Sequence, residues 1–164
     1  MPAAILSAAI TLTACATAPH TPISRPAAAV LRPDEAVAAA PEGPRRFIVS
    51  RALAMLGQPY RWGGDAPGGF DCSGLVLYAT DGSGVHVPRT AHEQIQSGVS
   101  IPRSQVRAGD LVFMRLEHKE LHVGIAIDNE RFVHSPAAGR TVRIDSLDAL
   151  PYSRGFLAAR RIVG

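Results

Sequence analysis

The chain has 164 residues, 46% of them hydrophobic and 19% charged, with a formal net charge of +3. That suffices for one globular core, while scattered basic residues and a single Trp give no basis for a nucleic-acid-binding surface. Arg45-Arg46 and Arg160-Arg161 are isolated pairs, so the charge permits only a weak attraction to anionic polymers or membrane surfaces.

Residues 3–14 form an apolar, small-residue run, too short to span a bilayer but of the length of a signal-peptide core. The run ends in Leu12-Thr13-Ala14-Cys15, which resembles the bacterial lipobox, whose cysteine is lipidated. Met1-Pro2-Ala3 departs from the usual signal in carrying no Lys or Arg. Prolines at 19, 22, 26, 33, 41 and 44, many alanines and few large apolar groups then make an extended tether. The expected organisation is a signal peptide with lipobox over 1–15, a Pro/Ala-rich tether over 16–45 and one folded domain over 46–164.

Within the domain, Tyr60-Arg61-Trp62-Gly63-Gly64 and Asp65-Ala66-Pro67-Gly68-Gly69 read as loop. Asp71 is the natural N-cap of a helix whose apolar residues at 75, 76 and 79 share one face. Cys72 therefore falls in the first helical turn, where unpaired N–H groups and the helix dipole favour a thiolate at lower pH than in free cysteine. A thiol delivered there by a glycine-lined loop reads as a nucleophile; the competing reading is a small, inert core residue. Cys15 lies in the signal or the tether, so no Cys15–Cys72 disulfide is expected.

A thiol nucleophile needs an imidazole base and a third group to hold that imidazole. His20 is in the tether, and His86 and His92 flank a loop and look exposed. Further on, Leu111-Val112-Phe113-Met114 reads as a strand, and residues 115–120 as a charged loop. Residues 121–127 and 131–135 read as a hairpin around Asp128-Asn129-Glu130. If Ile127 opposes Arg131 across that three-residue turn, His134 faces Gly124 and lies diagonal to His122 on the same face. A two-residue turn without a bulge would separate the rings. His122 is thus the expected base, with Gly124 leaving room for the imidazoles. A zinc reading of His118-Lys119-Glu120-Leu121-His122 with His134 fits neither H-E-x-x-H nor H-x-x-E-H, and its two histidines span a loop-to-strand segment.

Taken together, Gly57-Gln58-Pro59-Tyr60-Arg61-Trp62-Gly63-Gly64, Phe70-Asp71-Cys72-Ser73-Gly74-Leu75-Val76, Val87-Pro88-Arg89-Thr90, Ala108-Gly109-Asp110-Leu111-Val112-Phe113, His122-Val123-Gly124-Ile125 and Phe132-Val133-His134-Ser135-Pro136 resemble, in order, the NlpC-type family of bacterial cell-wall cysteine peptidases. The segment from Arg154 to Arg161 is similar to the family's last strand. The resemblance implies an α+β, papain-like fold, with N-terminal helices carrying the nucleophile packed on an antiparallel sheet of about five strands. It implies Cys72 as nucleophile, His122 as base and His134 as the group that orients His122. Tyr60 would help hold the oxyanion with main-chain N–H groups at Cys72, and Asp71 and Ser73 would either touch substrate or serve the helix start. The implied substrate is the peptide stem of peptidoglycan, cut at the bond from D-glutamate to a diamino acid or at a cross-link. No metal or organic cofactor is implied. The expected protein is a monomer, lipid-anchored through Cys15 in the cell envelope, facing the periplasm from the outer membrane if the cell is Gram-negative. The alternatives are a Cys–His amidase or acyltransferase acting on another substrate, and a non-catalytic envelope-binding lipoprotein.

Overall fold

The computed structural model describes residues 43–116 and 120–164. The signal, the lipobox at Cys15 and nearly all of the tether lie outside the described residues, as does His118. Helix α1 (Pro44–Leu53) opens with Pro at its first turn, where a missing N–H costs nothing. It buries Ile48, Val49, Ala52 and Leu53 along one face. The folded part therefore begins earlier than the expected residue 46, because Arg45 is already helical and buried. Its guanidinium donates to Asp110 at 3.1 Å and to the Ala108 carbonyl at 3.0 Å, and it also bonds the Val163 carbonyl.

A loop carrying the two-residue strands β1 (Asp65–Ala66) and β2 (Gly69–Phe70) leads into helix α2 (Cys72–Thr80), which packs against α1. A short helix α3 (Ala91–Gln94) follows, started by a reciprocal capping box between Thr90 and Glu93. The sheet strands are β3 (Val99–Ile101), β4 (Leu111–Arg115), β5 (Leu121–Ala126), β6 (Arg131–His134), β7 (Arg143–Ser146) and β8 (Phe156–Arg161). A short helix α4 (Tyr152–Gly155) precedes β8, so the last strand starts at Phe156 rather than Arg154. All neighbours are antiparallel, in the order β3-β8-β4-β5-β6-β7. Among the described residues the sheet has six strands, close to the expected five or so, and the α+β arrangement is the expected one.

Both faces of the sheet are covered, which is why β4 is buried along nearly its whole length instead of alternating. Leu111, Phe113, Val123, Ile125 and Val133 belong to the core shared with the helices. Val112, Met114, Ala126, Phe132 and Ala159 form a second core with Leu147 and Tyr152. Phe113 and Ile125 are fully buried, and burial of such side chains contributes roughly 1.5–3 kcal/mol each.

The β5–β6 hairpin has Ile125 opposite Val133 and Ala126 opposite Phe132, the register expected for a three-residue turn. Asp128 builds that turn: its Oδ1 accepts from the main-chain N–H groups of Glu130 and Arg131, both at 2.7 Å.

Asp110, fully buried, ties α1 to the start of β4 and the end of β8 through Arg45 and a two-pronged contact from Arg161. Replacing Asp110 with Ala strands a buried guanidinium and is expected to cost about 3–5 kcal/mol. Urea unfolding of the two proteins measures the loss; a cost below about 1 kcal/mol would show that this cluster is not what closes the domain.

Candidate active site

Helix α2 starts on one carboxylate. Asp71, with φ −88° and ψ 176°, accepts from the Gly74 N–H at 2.6 Å and the Gly63 N–H at 3.0 Å. Arg89 grips it two-pronged, at 3.0 and 2.7 Å. Burial opposes ionisation of Asp71, but Arg89, the Gly74 N–H and Ser73 outweigh it and hold the carboxyl below its ordinary range. Ser73 is buried; its hydroxyl donates to Asp71 and accepts from Arg89 at 3.1 Å. The side chains of Asp71 and Ser73 are thus both engaged in holding the helix start.

The loop of residues 60–64 lies directly on that start. The Asp71 N–H donates to the Gly64 carbonyl at 2.9 Å, and a Cβ on Gly74 would stand 2.0 Å from the same oxygen. Only glycine fits there. Main-chain bonds from Tyr60 to Arg140 and from Arg61 to Phe70 align the loop beside the cysteine segment. The Tyr60 phenol is raised above its ordinary pKa by burial and by Cys72 and Asp71, so it remains a hydrogen-bond donor next to the thiol.

Cys72 is the first residue of α2 and is partly buried. Its thiol meets β5 where the β5–β6 ladder opens. Regular pairing ends at Ile125 and Val133. Continued, it would set Ser135 opposite Val123, but the Ser135 hydroxyl turns away to the Phe70 carbonyl at 2.7 Å. The Val123 main chain is close enough to the Cys72 thiol to lower its pKa. Cys72 thus lies against β5 beside the residue that follows His122.

The same contacts overturn the expectation of a low thiol pKa. Burial pushes Cys72 up and the neighbouring Asp71 charge adds to it, against the pull of the Val123, Ser73 and Cys72 N–H groups. His122 is pushed down to about 3, first by burial and then by His134, with Asp145 opposing. The resting pair is thus a neutral thiol and a neutral imidazole. Among the described residues, no hydrogen bond joins Sγ to the His122 ring, a looseness common before substrate binds.

His122 Nε2 lies 2.7 Å from His134 Nδ1, the rings meeting edge to face at 81°. Gly124 leaves the space: a Cβ there would stand 2.5 Å from the Phe132 ring and 3.2 Å from His134 Cβ. His134 is fully buried, and its Nε2 sits 2.8 Å from Asp145 Oδ2. That oxygen also accepts from Arg143 Nε and the Tyr152 hydroxyl, both at 2.7 Å. Burial lowers His134, and Asp145 opposes the shift. Asp145 itself is held at about 2 despite burial, by the bonds from His134, Tyr152 and Arg143.

The structure thus gathers Tyr60, Asp71, Cys72 and Ser73 at one helix start, and His122 and His134 on the adjacent hairpin. His86 and His92 are exposed. Sequence reading missed Arg89, Arg143, Asp145 and Tyr152. Arg89 stood in a quoted motif without a role. Alternation in Arg143-Ile144-Asp145-Ser146 marked a strand, but residues 135–142 before it are too long a connection to give its register.

A family model, the NlpC/P60 family, matches residues 57–161, which include every one of these site residues except the lipobox cysteine. The chain belongs to the NlpC/P60 family. Among curated NlpC/P60 relatives, it is 39% identical over 124 residues to a protein of Escherichia coli (strain K12) named murein DD-endopeptidase MepH, covering 72% of this chain and 46% of that one. It is 33% identical over 123 residues to the gamma-D-glutamyl-L-lysine dipeptidyl-peptidase of Bacillus subtilis (strain 168), covering 73% and 42%. The chain therefore spans about half the length of these relatives. Among solved structures, an NlpC/P60 family protein from Bacillus cereus ATCC 10987 superposes with TM-score 0.69 at 30% identity, covering 76% of this chain and 41% of that one. The NlpC/p60 domain of the peptidoglycan hydrolase SagA gives 0.63 at 32%, covering 71% and 97%.

A raised thiol leaves little thiolate at neutral pH, so alkylation of Cys72 by iodoacetamide should still be accelerating above about pH 8.5, the free-cysteine value. A rate already on its plateau at pH 6 would instead reveal a preformed thiolate–imidazolium pair.

Proposed function

We propose that this domain is a cysteine endopeptidase that hydrolyses amide bonds in the stem peptides of peptidoglycan. The observation that carries the reading is a thiol at the start of α2, a helix packed against β5, where His122 is held at Nε2 by His134. The names of the relatives above supply the substrate class. One is named for a DD bond and the other for a gamma-D-glutamyl-L-lysine bond, so both the stem cross-link and the D-glutamyl–diamino acid bond remain targets of the assay.

With both partners neutral at rest, proton transfer accompanies attack. As Sγ bonds to the carbonyl carbon, its proton passes to His122 Nδ1, because Nε2 is committed to His134. The tetrahedral oxyanion is held by the Cys72 N–H and the Tyr60 hydroxyl. Collapse breaks the C–N bond, and His122 returns its proton to the leaving amine. Water then attacks the thioester, giving a proton to His122, and the departing sulfur recovers it. Every step uses groups of this chain and water.

Leu12-Thr13-Ala14-Cys15 followed by a Pro/Ala-rich segment supports a monomeric enzyme lipid-anchored at Cys15 in the cell envelope, on the periplasmic side of the outer membrane in a Gram-negative cell. Among the described residues, no helix is long and apolar enough to cross a membrane.

Incubation with purified sacculi, followed by mass spectrometry, is expected to release stem fragments that a Cys72→Ala variant does not release. The new ends identify the bond. Absence of any Cys72-dependent product from sacculi and from isolated stem peptides would sink the substrate assignment. Cys15→Ala is expected to move the full-length protein from the membrane fraction to the soluble fraction, and retention in the membrane would rule out the lipid anchor.

A further inference from the structure

The hydrogen-bond chain from β7 to the nucleophile has a direction, and Asp145 sets it. A carboxylate only accepts hydrogen bonds, so the 2.8 Å contact makes His134 Nε2 the donor. The neutral His134 ring then has a bare Nδ1, which can only accept. Its 2.7 Å partner, His122 Nε2, must therefore carry a proton. A neutral His122 protonated at Nε2 has its lone pair at Nδ1, the nitrogen left for the thiol. Reversing the first bond reverses all of them: with Nδ1–H on His134 donating, His122 would carry its proton at Nδ1 and could not act as a base.

We propose that Asp145 is a positioning residue for the hydrolytic reaction: its carboxylate, acting through His134, fixes both imidazole tautomers so that His122 presents a bare Nδ1 to Cys72. Asp145 touches neither the thiol nor His122. The groups that face it fit the role. His134 comes from β6, Arg143 from its own strand and Tyr152 from α4; all three donate to the one oxygen, Oδ2, and keep it an acceptor. Phe132, opposite Asp145 in the ladder, stacks at 4.6 Å from the His134 ring and brings no competing polar group. Asp145 also favours the charged form of His122, so the proton taken from the thiol is less costly to hold. A buried His134 alone supplies no negative charge for that purpose.

This inference rests on the reading of Cys72 and His122 as nucleophile and base, but its first readout needs no substrate. Long-range 1H–15N NMR of the full chain is expected to show both His122 and His134 protonated at Nε2 and bare at Nδ1. In Asp145→Asn, the amide can donate as well as accept, and His122 protonated at Nδ1 should gain population. With a soluble stem peptide, kcat is expected to fall by about a hundredfold or more while KM changes by less than about threefold. A role in stability alone would move neither the tautomers nor the ratio of kcat to KM in that way. Wild-type His122 protonated at Nδ1 overturns the proposal, and so does an Asp145→Asn protein that keeps kcat within about threefold. If that variant does not fold, the wild-type spectrum decides. A failure of the stem peptide as substrate, with the wild-type tautomers as expected, would count against the proposed function and leave the tautomer assignment standing.

Discussion

A buried main-chain N–H must find a partner, and at Val123 the neighbouring strand no longer supplies one. The β5–β6 ladder stops at Ile125 and Val133, the Ser135 hydroxyl donates to the Phe70 carbonyl, and the Val123 main chain comes close enough to the Cys72 thiol to lower its pKa. Cys72 is thereby placed against β5 beside His122. The helix start, the Tyr60 loop and Arg89 are arranged around that contact, with Asp71 joining all three.

Burial sets the chemistry as much as it sets the geometry. It raises the thiol and lowers both imidazoles, so charge separation before substrate arrives is disfavoured. A papain-like layout is compatible with that, provided that the proton moves during attack and not ahead of it. Asp145 is the one anion placed to offset the burial of the histidines, and it is itself kept ionised by Arg143 and Tyr152. The sheet's second face thus holds the histidines from the side away from α1 and α2, where Phe132 and Tyr152 also pack against His134.

Much of this was readable from local chemistry. Asp71 before an apolar helical stripe announced the cap, and the cap located Cys72 at the first turn. A three-residue turn headed by Asp128 fixed which hairpin residues share a face, and Gly124 marked the space between them. What escaped depends on contacts distant in sequence. The register of β7 against β6 is set by packing across residues 135–142, so Asp145 gave no signal of its own. The thiol's pKa follows from how deeply the helix start is covered, which no local motif encodes. Strand β3 was not legible either: Val99–Ile101 is too brief and too exposed to show a period of two. Arg45 read as part of a tether because its partners, Asp110 and the Val163 carbonyl, lie far along the chain.

The strand order carries a consequence for how the domain comes into being. β8, the last strand made, lies between β3 and β4, and β3 has no other partner in the sheet. During synthesis or passage through a membrane, the sheet that presents His122 keeps one flank open until residues 156–161 arrive, and such non-local pairing is slow to close. β3 therefore joins the sheet only after β8 is in place. A domain with this topology carries its own delay, because its sheet stays unfinished until residues 156–161 have emerged.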